Sequence, residues 1–132
     1  MIGGGNMANA LVTGWLKQNC PLANLHVIEV YEALRQQWSE RGVSVAAAPG
    51  AMLADYDVWI YAVKPQQMRE VVLSTQPFLG KQTLVISIAA GISIASLSTW
   101  LGSPEAPYSR IVRCMPNTPA LVAAGVTGMA CP

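Results

Sequence analysis

Charge is what this chain has least of. Asp, Glu, Lys and Arg make up 11% of its 132 residues, against 52% for the hydrophobic types; about 25% charged is usual for a soluble domain. So little charge excludes a surface that is polar all round. It calls for a sheet covered on both faces, or for surface that normally meets something apolar, such as a further domain or a partner subunit. The net charge is +1 with no basic run, so nothing favours nucleic acid or an anionic membrane as a partner. No apolar run reaches the roughly 20 residues of a spanning helix, and no signal-peptide pattern opens the chain. Cysteine is scarce too. Cys20, Cys114 and Cys131 are odd in number and widely spaced, with no CxxC pair or Cys/His cluster. Neither a metal centre nor a disulfide framework is expected, and a reducing, cytoplasmic setting fits. The single histidine, His26, lies in an apolar run and reads as structural or solvent-facing.

What is present alternates between two periodicities. Ala8, Leu11, Val12, Trp15 and Leu16 recur at helical spacing, and Asn19-Cys20-Pro21 stops the helix. Leu25–Val30 reads as a strand, Tyr31–Gly42 as a helix closed by glycine, and "VSVAA" as a short strand. "PGAMLAD" is a turn. Asp57–Val63 and "QTLVISIAAG" are β-rich and apolar throughout, as strands buried on both faces should be. Between them, Met68, Val71, Val72 and Thr75 share one side of a helix. "SIASLSTWLG" reads as a short helix and "SRIVRCM" as a further strand, with the proline-rich Gly102–Ser109 as an exposed loop before it. Strands alternating with helices predict an α/β fold: one domain over 1–132, with a doubly wound, mostly parallel sheet.

The glycines at the start give this sheet a function. Gly3-Gly4-Gly5-Asn6-Met7-Ala8 fits G-x-G-x-x-G/A at a strand-to-helix turn, the Rossmann dinucleotide motif. Gly3 permits the tight turn. Gly5 has no Cβ to hold a pyrophosphate away from the backbone, and Ala8 lets the helix approach the strand. The helix N-terminus offers N–H groups and a positive dipole to phosphates. About 20 residues on, where such folds place an acid against the adenosine ribose, stands Glu29. A 2′-hydroxyl held by Glu29 would favour NADH. Arg35, one turn into the next helix, could instead meet the 2′-phosphate of NADPH, or be a solvated helix charge. Only Met1 and Ile2 precede the glycines, whereas a buried strand needs about five residues. The first strand is therefore expected to be truncated, the chain to be a fragment at its N-terminus, and the centre of the sheet to be lost.

Three more loops leave apolar strands at the edge where parallel sheets bind ligands. They are Ala62–Met68 (AVKPQQM), Ser87–Ser93 (SIAAGIS) and Arg113–Ala120 (RCMPNTPA). The first carries one cation, Lys64, ahead of Pro65. The second has small side chains that let a ring or a phosphate chain approach the backbone. The third holds Asn117 between Pro116 and Pro119. In this order and spacing, "IGGGNMA", "AVKPQQM", "SIAAGIS" and "RIVRCMPNTPA" resemble the pyrroline-5-carboxylate reductases, from Ile2 to about Met129. "MPNTP" is the most discriminating piece.

The resemblance implies NADPH- or NADH-dependent reduction of a cyclic imine to L-proline, the last step of proline biosynthesis. It implies that Gly3, Gly5, Asn6 and Met7 line the pyrophosphate, and that Val63, Lys64 and Pro65 meet the ribose and nicotinamide end. Ala89, Ala90 and Gly91 would form a further wall. Met115, Pro116 and Asn117 would approach the nicotinamide, with Asn117 orienting ring and substrate. Glu29 and Tyr31 fall where the family varies with cofactor preference. The family also has a C-terminal helical domain that builds a homo-oligomer and completes the substrate pocket; with that domain absent, these residues alone are expected to be inactive. No nucleophilic triad, acid–base pair or metal set stands out, as orientation-driven hydride transfer expects. Two alternatives remain: a Rossmann reductase of the β-hydroxyacid dehydrogenase type, against which "RCMPNTPA" argues, and a non-catalytic dinucleotide-binding module.

Overall fold

The computed structural model describes residues 1–116 and 127–130. Helix α1 (Asn6–Lys17) follows the glycines, then strand β1 (His26–Ile28), α2 (Glu32–Glu40) and β2 (Ser44–Ala46). Strand β3 (Val58–Tyr61), α3 (Pro65–Thr75), β4 (Leu84–Ser87), α4 (Ile94–Leu101), β5 (Ile111–Pro116) and β6 (Thr127–Ala130) complete the order. The helix stops have plain causes. Asn19 takes φ 64° beyond α1 and Gly42 takes φ +84° beyond α2, the left-handed conformation that closes a helix. Pro65 sits at the first position of α3, where its missing N–H costs nothing.

Strands β1 and β2 pair in parallel, as do β3 with β4 and β4 with β5. What joins the two groups is the start of the chain. Ile2 bridges Ile28 on one side and Tyr61 on the other, both in parallel sense. Its N–H donates to Ile60 O at 2.7 Å, and its carbonyl accepts from Ala62 N at 2.7 Å. Ile28 N donates to Met1 O at 2.9 Å, and Gly3 N to Ile28 O at 2.8 Å. The spatial order is therefore β2, β1, Met1–Gly3, β3, β4, β5, β6. This corrects the expectation that a shortened first strand would cost the sheet its centre. A central segment is paired on both sides, so three residues present enough N–H and C=O groups to knit two neighbours together.

Two apolar clusters cover the sheet. One gathers Ile2, Ile28, Trp59, Tyr61 and Val85 with Met68 and Val72 of α3 and Leu97 and Leu101 of α4. The other gathers Ala8 and Val12 of α1, Val27, Trp38 of α2 and Val43. The neighbours Val27 and Ile28 enter different clusters, because successive strand residues point to opposite faces. The sheet is thus doubly wound, with α1 and α2 on one face and α3 and α4 on the other. Tyr61, fully buried, hydrogen-bonds Thr75 of α3 through its hydroxyl. Burial drives its phenol well above the usual range.

At the far edge the structure departs from the sequence reading. Arg113–Met115 stand in both the strand and the loop of that reading; they are strand, and β5 runs on through Pro116. Strand β4 pairs only with Ile111–Arg113, and beyond that β6 takes over in antiparallel sense, from Arg113↔Ala130 to Pro116↔Thr127. Strand β6 was not anticipated, because "TGMA" has neither the length nor the alternation that marks a strand.

Candidate functional site

The carboxyl edge of the sheet gathers the glycine loop and the exits of β1, β3 and β4. The loop is pressed between two of these exits. Gly3 has φ +97°, and a Cβ there would lie 2.5 Å from Ala62 O and 3.0 Å from Val63 Cγ1. Only glycine permits both the conformation and the contact. The turn thus sets the backbone of Gly3 directly against the exit of β3. Gly5 is different: a Cβ there would meet nothing within 4 Å, so its backbone faces open space. Gly5 is the N-cap of α1 and has no side-chain cap; the first intrahelical bond runs from Asn9 N to Gly5 O at 2.9 Å. The N–H groups of Asn6, Met7 and Ala8 precede that bond and have no acceptor within the helix. Asn6 is exposed, Met7 half-buried and Ala8 fully buried. Ala8 therefore serves the close approach of α1 to the sheet.

At the β1 exit, Glu29 N bonds Ala46 O of β2 at 3.0 Å, so the residue continues the ladder. Its side chain turns back: Oε2 accepts from Val30 N at 2.8 Å, and the residue is buried. Arg35 reaches from α2 to the same turn. Its Nη1 donates to Glu29 O at 2.9 Å and to Val30 O at 2.7 Å. The guanidinium is thereby tied to the main chain. Val30 and Tyr31 stand out in solvent beside the buried acid, 69% and 64% exposed. Tyr31 is the N-cap residue of α2.

The β3 exit runs through half-buried Ala62 and Val63 to Lys64, which is exposed and serves as N-cap of α3 before Pro65. At the β4 exit, Ala89 is buried and its N–H bonds Ser87 Oγ at 3.3 Å. Ala90 and Gly91 are exposed, and Gly91 has φ +74°. Met115, near the end of β5, is 41% exposed, and Pro116 ends that strand. Asn117 lies outside the described residues. The structure therefore brings the glycine loop onto Val63, sets Glu29 one strand away, and lines Lys64, Pro65, Ala89, Ala90 and Gly91 along the same edge.

Two contributors escaped the sequence reading. Gly4 occupies a position where the motif accepts any residue, yet a Cβ there would lie 2.6 Å from Trp38 Nε1. Trp38 lies inside the helix read over Tyr31–Gly42 and drew no reading of its own; its indole N–H donates to Gly4 O at 2.9 Å. The signal available was a third glycine where two suffice. His26 proved structural. It is buried, its Nδ1 pairs with Ser44 Oγ at 2.8 Å, and its ring stacks on Tyr56.

Comparison with known proteins agrees with this geometry. Residues 1–91 match the family model described as NADP oxidoreductase, coenzyme F420-dependent. Over 129 residues the chain is 40% identical to a pyrroline-5-carboxylate reductase of Pseudomonas aeruginosa, covering 97% of this chain and 46% of that protein. A pyrroline-5-carboxylate reductase structure from Coxiella burnetii superposes with a TM-score of 0.90 at 35% identity, over 99% of this chain and 48% of that one. A Plasmodium falciparum pyrroline carboxylate reductase with NADP bound superposes with a TM-score of 0.79 at 28% identity, over 99% of this chain and 46% of that one. The chain spans about half the length of the curated relatives it matches. A family model covering the glycine loop, β1 to β4 and the turn at Gly91 leaves one conclusion: the chain belongs to the family of NADP oxidoreductases described as coenzyme F420-dependent.

Proposed function

We propose that these residues form the dinucleotide-binding half of a pyrroline-5-carboxylate reductase, which reduces 1-pyrroline-5-carboxylate to L-proline with NADH or NADPH in a reducing, cytoplasmic setting. The observation that carries the reading is the pair of glycines at the loop. Gly3 closes the turn against Ala62, while Gly5 presents bare backbone to open space at an uncapped helix N-terminus. A cradle of this kind suits a pyrophosphate, which needs N–H donors and no side chain in the way. Its fit to a dinucleotide is supported by Glu29, whose carboxylate borders the position where a ribose would lie. A bound reduced nicotinamide supplies a hydride to the carbon of a protonated C=N bond.

The chain's own residues have the task of orientation. In this reading the N–H groups of Gly5, Asn6 and Met7 hold phosphate oxygens. Glu29 accepts from ribose hydroxyls, while its second oxygen keeps the turn at Val30, and Tyr31 flanks the adenosine. Val63, Lys64 and Pro65 bound the ribose next to the nicotinamide. Ala89, Ala90 and Gly91 keep the wall low enough for a ring to lie against backbone. Met115, Pro116 and Asn117 face the reacting ring, Asn117 setting its orientation. Helical segments beyond these residues would complete the imine pocket and join subunits into a homo-oligomer.

The test follows consumption of reduced nicotinamide by the full-length protein with 1-pyrroline-5-carboxylate, using NADH and NADPH in parallel. Turnover is expected, faster with NADH if Glu29 holds the 2′-hydroxyl. Dinucleotide binding without turnover on this imine would reduce the chain to a binding module or a reductase of another substrate.

A further inference from the structure

The glycine loop is held from outside the motif. Trp38, 3% exposed, sends its indole N–H from α2 to the carbonyl of Gly4 at 2.9 Å. The guanidinium of Arg41, one turn on, lies 4.7 Å from the centre of the Trp38 ring. It donates to Asn9 Oδ1 and, at 3.2 Å, to Thr13 Oγ1, both on α1. A crevice of about 130 Å³ runs between the two helices, walled by Gly4, Gly5, Trp38 and Arg41 among others. Helix α2 therefore grips α1 near its first turn and grips the loop ahead of it.

The grip on Gly4 has a directional consequence. The Gly4–Gly5 peptide is trans, as all are among the described residues. In a planar trans peptide the C=O and the following N–H point in opposite directions. A Gly4 carbonyl drawn into α2 turns the Gly5 N–H away from α2. Between two glycines this plane would otherwise rotate with little resistance, since neither residue has a Cβ to limit it. Gly4 must also be glycine for the indole to come so near, because a Cβ would lie 2.6 Å from Nε1 and 3.0 Å from Val27 Cγ1.

We propose that Trp38 is a positioning residue for dinucleotide binding: by holding the Gly4 carbonyl it fixes the plane of the Gly4–Gly5 peptide, and with it the Gly5 N–H that meets the pyrophosphate. Trp38 acts through the Gly4 carbonyl, from a side chain only 3% exposed. It removes a rotation that the loop would otherwise lose on binding, which is preorganisation of the site. The proposal rests on the dinucleotide reading of the loop and concerns only its pyrophosphate portion.

The experiment replaces Trp38 by Phe, and separately by its benzothiophene analogue, which keeps the bicyclic shape and lacks the N–H. Both are made in the full chain. Binding of NADH, NADPH, ADP and adenosine is measured by equilibrium titration, beside the unfolding midpoint. The loss of one restraining hydrogen bond is expected to weaken NADH, NADPH and ADP alike by about five- to tenfold. Adenosine binding should stay as in the parent, and the midpoint of the benzothiophene variant should fall only modestly, because the buried Gly4 carbonyl loses one donor. Unchanged affinity for the phosphate-bearing ligands in the benzothiophene variant overturns the proposal, even if the Phe variant fails to fold. An equal loss for adenosine overturns it as well, because a general loosening of the α1–α2 face would do that. If the unaltered chain binds none of these ligands, the dinucleotide reading itself falls.

Discussion

Helices α1 and α4 both start at the carboxyl edge of the same sheet, and they start differently. Helix α4 is capped in the ordinary way: Ser93 Oγ accepts from Ser96 N at 3.1 Å, so one orphan donor of the first turn is satisfied from within the chain. Helix α1 begins at Gly5 with no side-chain cap at all. One end has been closed for stability. The other has been left open, and the loop before it is tied down by other means, through Gly3 against Ala62 and Trp38 on Gly4. Helices α2 and α3 also start without a side-chain cap; what sets α1 apart is that its free donors stand behind a glycine with open space beside it.

The contrast breaks most severely at Gly3. Gly3→Ala would put a methyl group 2.5 Å from Ala62 O at φ +97°. Strain and overlap together should cost about 3 kcal/mol or more. Urea unfolding should show the loss, and a variant as stable as the parent would mean that the turn is not tight. Gly5→Asp is the sharper test, because it should separate ligand from fold. The backbone there (φ −81°, ψ −158°) suits any residue and the space beside it is open. Aspartate should cap α1, leaving stability level or raised by a few tenths of a kcal/mol. Its charge should weaken dinucleotide binding by about a hundredfold, roughly 2.7 kcal/mol. Titration with NADH beside a denaturation curve would check both halves.

A third effect is one of pH. Burial lowers the pKa of His26, whose Nδ1 pairs with Ser44 Oγ at 2.8 Å. A base with a depressed native pKa leaves the unfolded chain holding more protons as pH falls through the histidine's ordinary value. Its contribution to stability is present above that value and lost below it. Unfolding free energies at about pH 5 and pH 8 would show the drop; equal values would count against a buried imidazole. The smallest effect is at the capped end. Ser93→Ala should cost about 1 kcal/mol of stability and leave dinucleotide affinity as it was, since its partner Ser96 lies within α4. A loss of affinity comparable to that of Gly5→Asp would erase the distinction between the two helix ends.

Much of the site was legible in the residues because the motif is a statement about backbone. Gly3 and Gly5 stand where a turn and a close approach need them, Ala8 where two elements must touch, Pro65 where a helix begins. Such requirements are local, and they can be read without knowing what lies across the fold. Trp38 could not be read that way. Its donor meets an acceptor 34 positions earlier, and no periodicity records a bond between a helix and a loop on its neighbour. Arg35 was the same kind of problem. Its place near Glu29 was evident, but its attachment to two carbonyls depends on the path of the β1 exit.

The sequence by itself determined the succession of elements, the apolar strands buried on both faces, and the loop that admits a phosphate. These follow from periodicity and from what a missing Cβ permits. Only the tertiary structure decided that Met1–Gly3 suffice as the centre of the sheet, and that β5 runs on to Pro116 against an antiparallel β6. It alone decided that a tryptophan sets the plane of the glycine loop. In each case the cause is a hydrogen-bond partner far away in the chain. A segment of three residues is a strand only when two neighbours accept it, and a carbonyl has a direction only when a donor holds it.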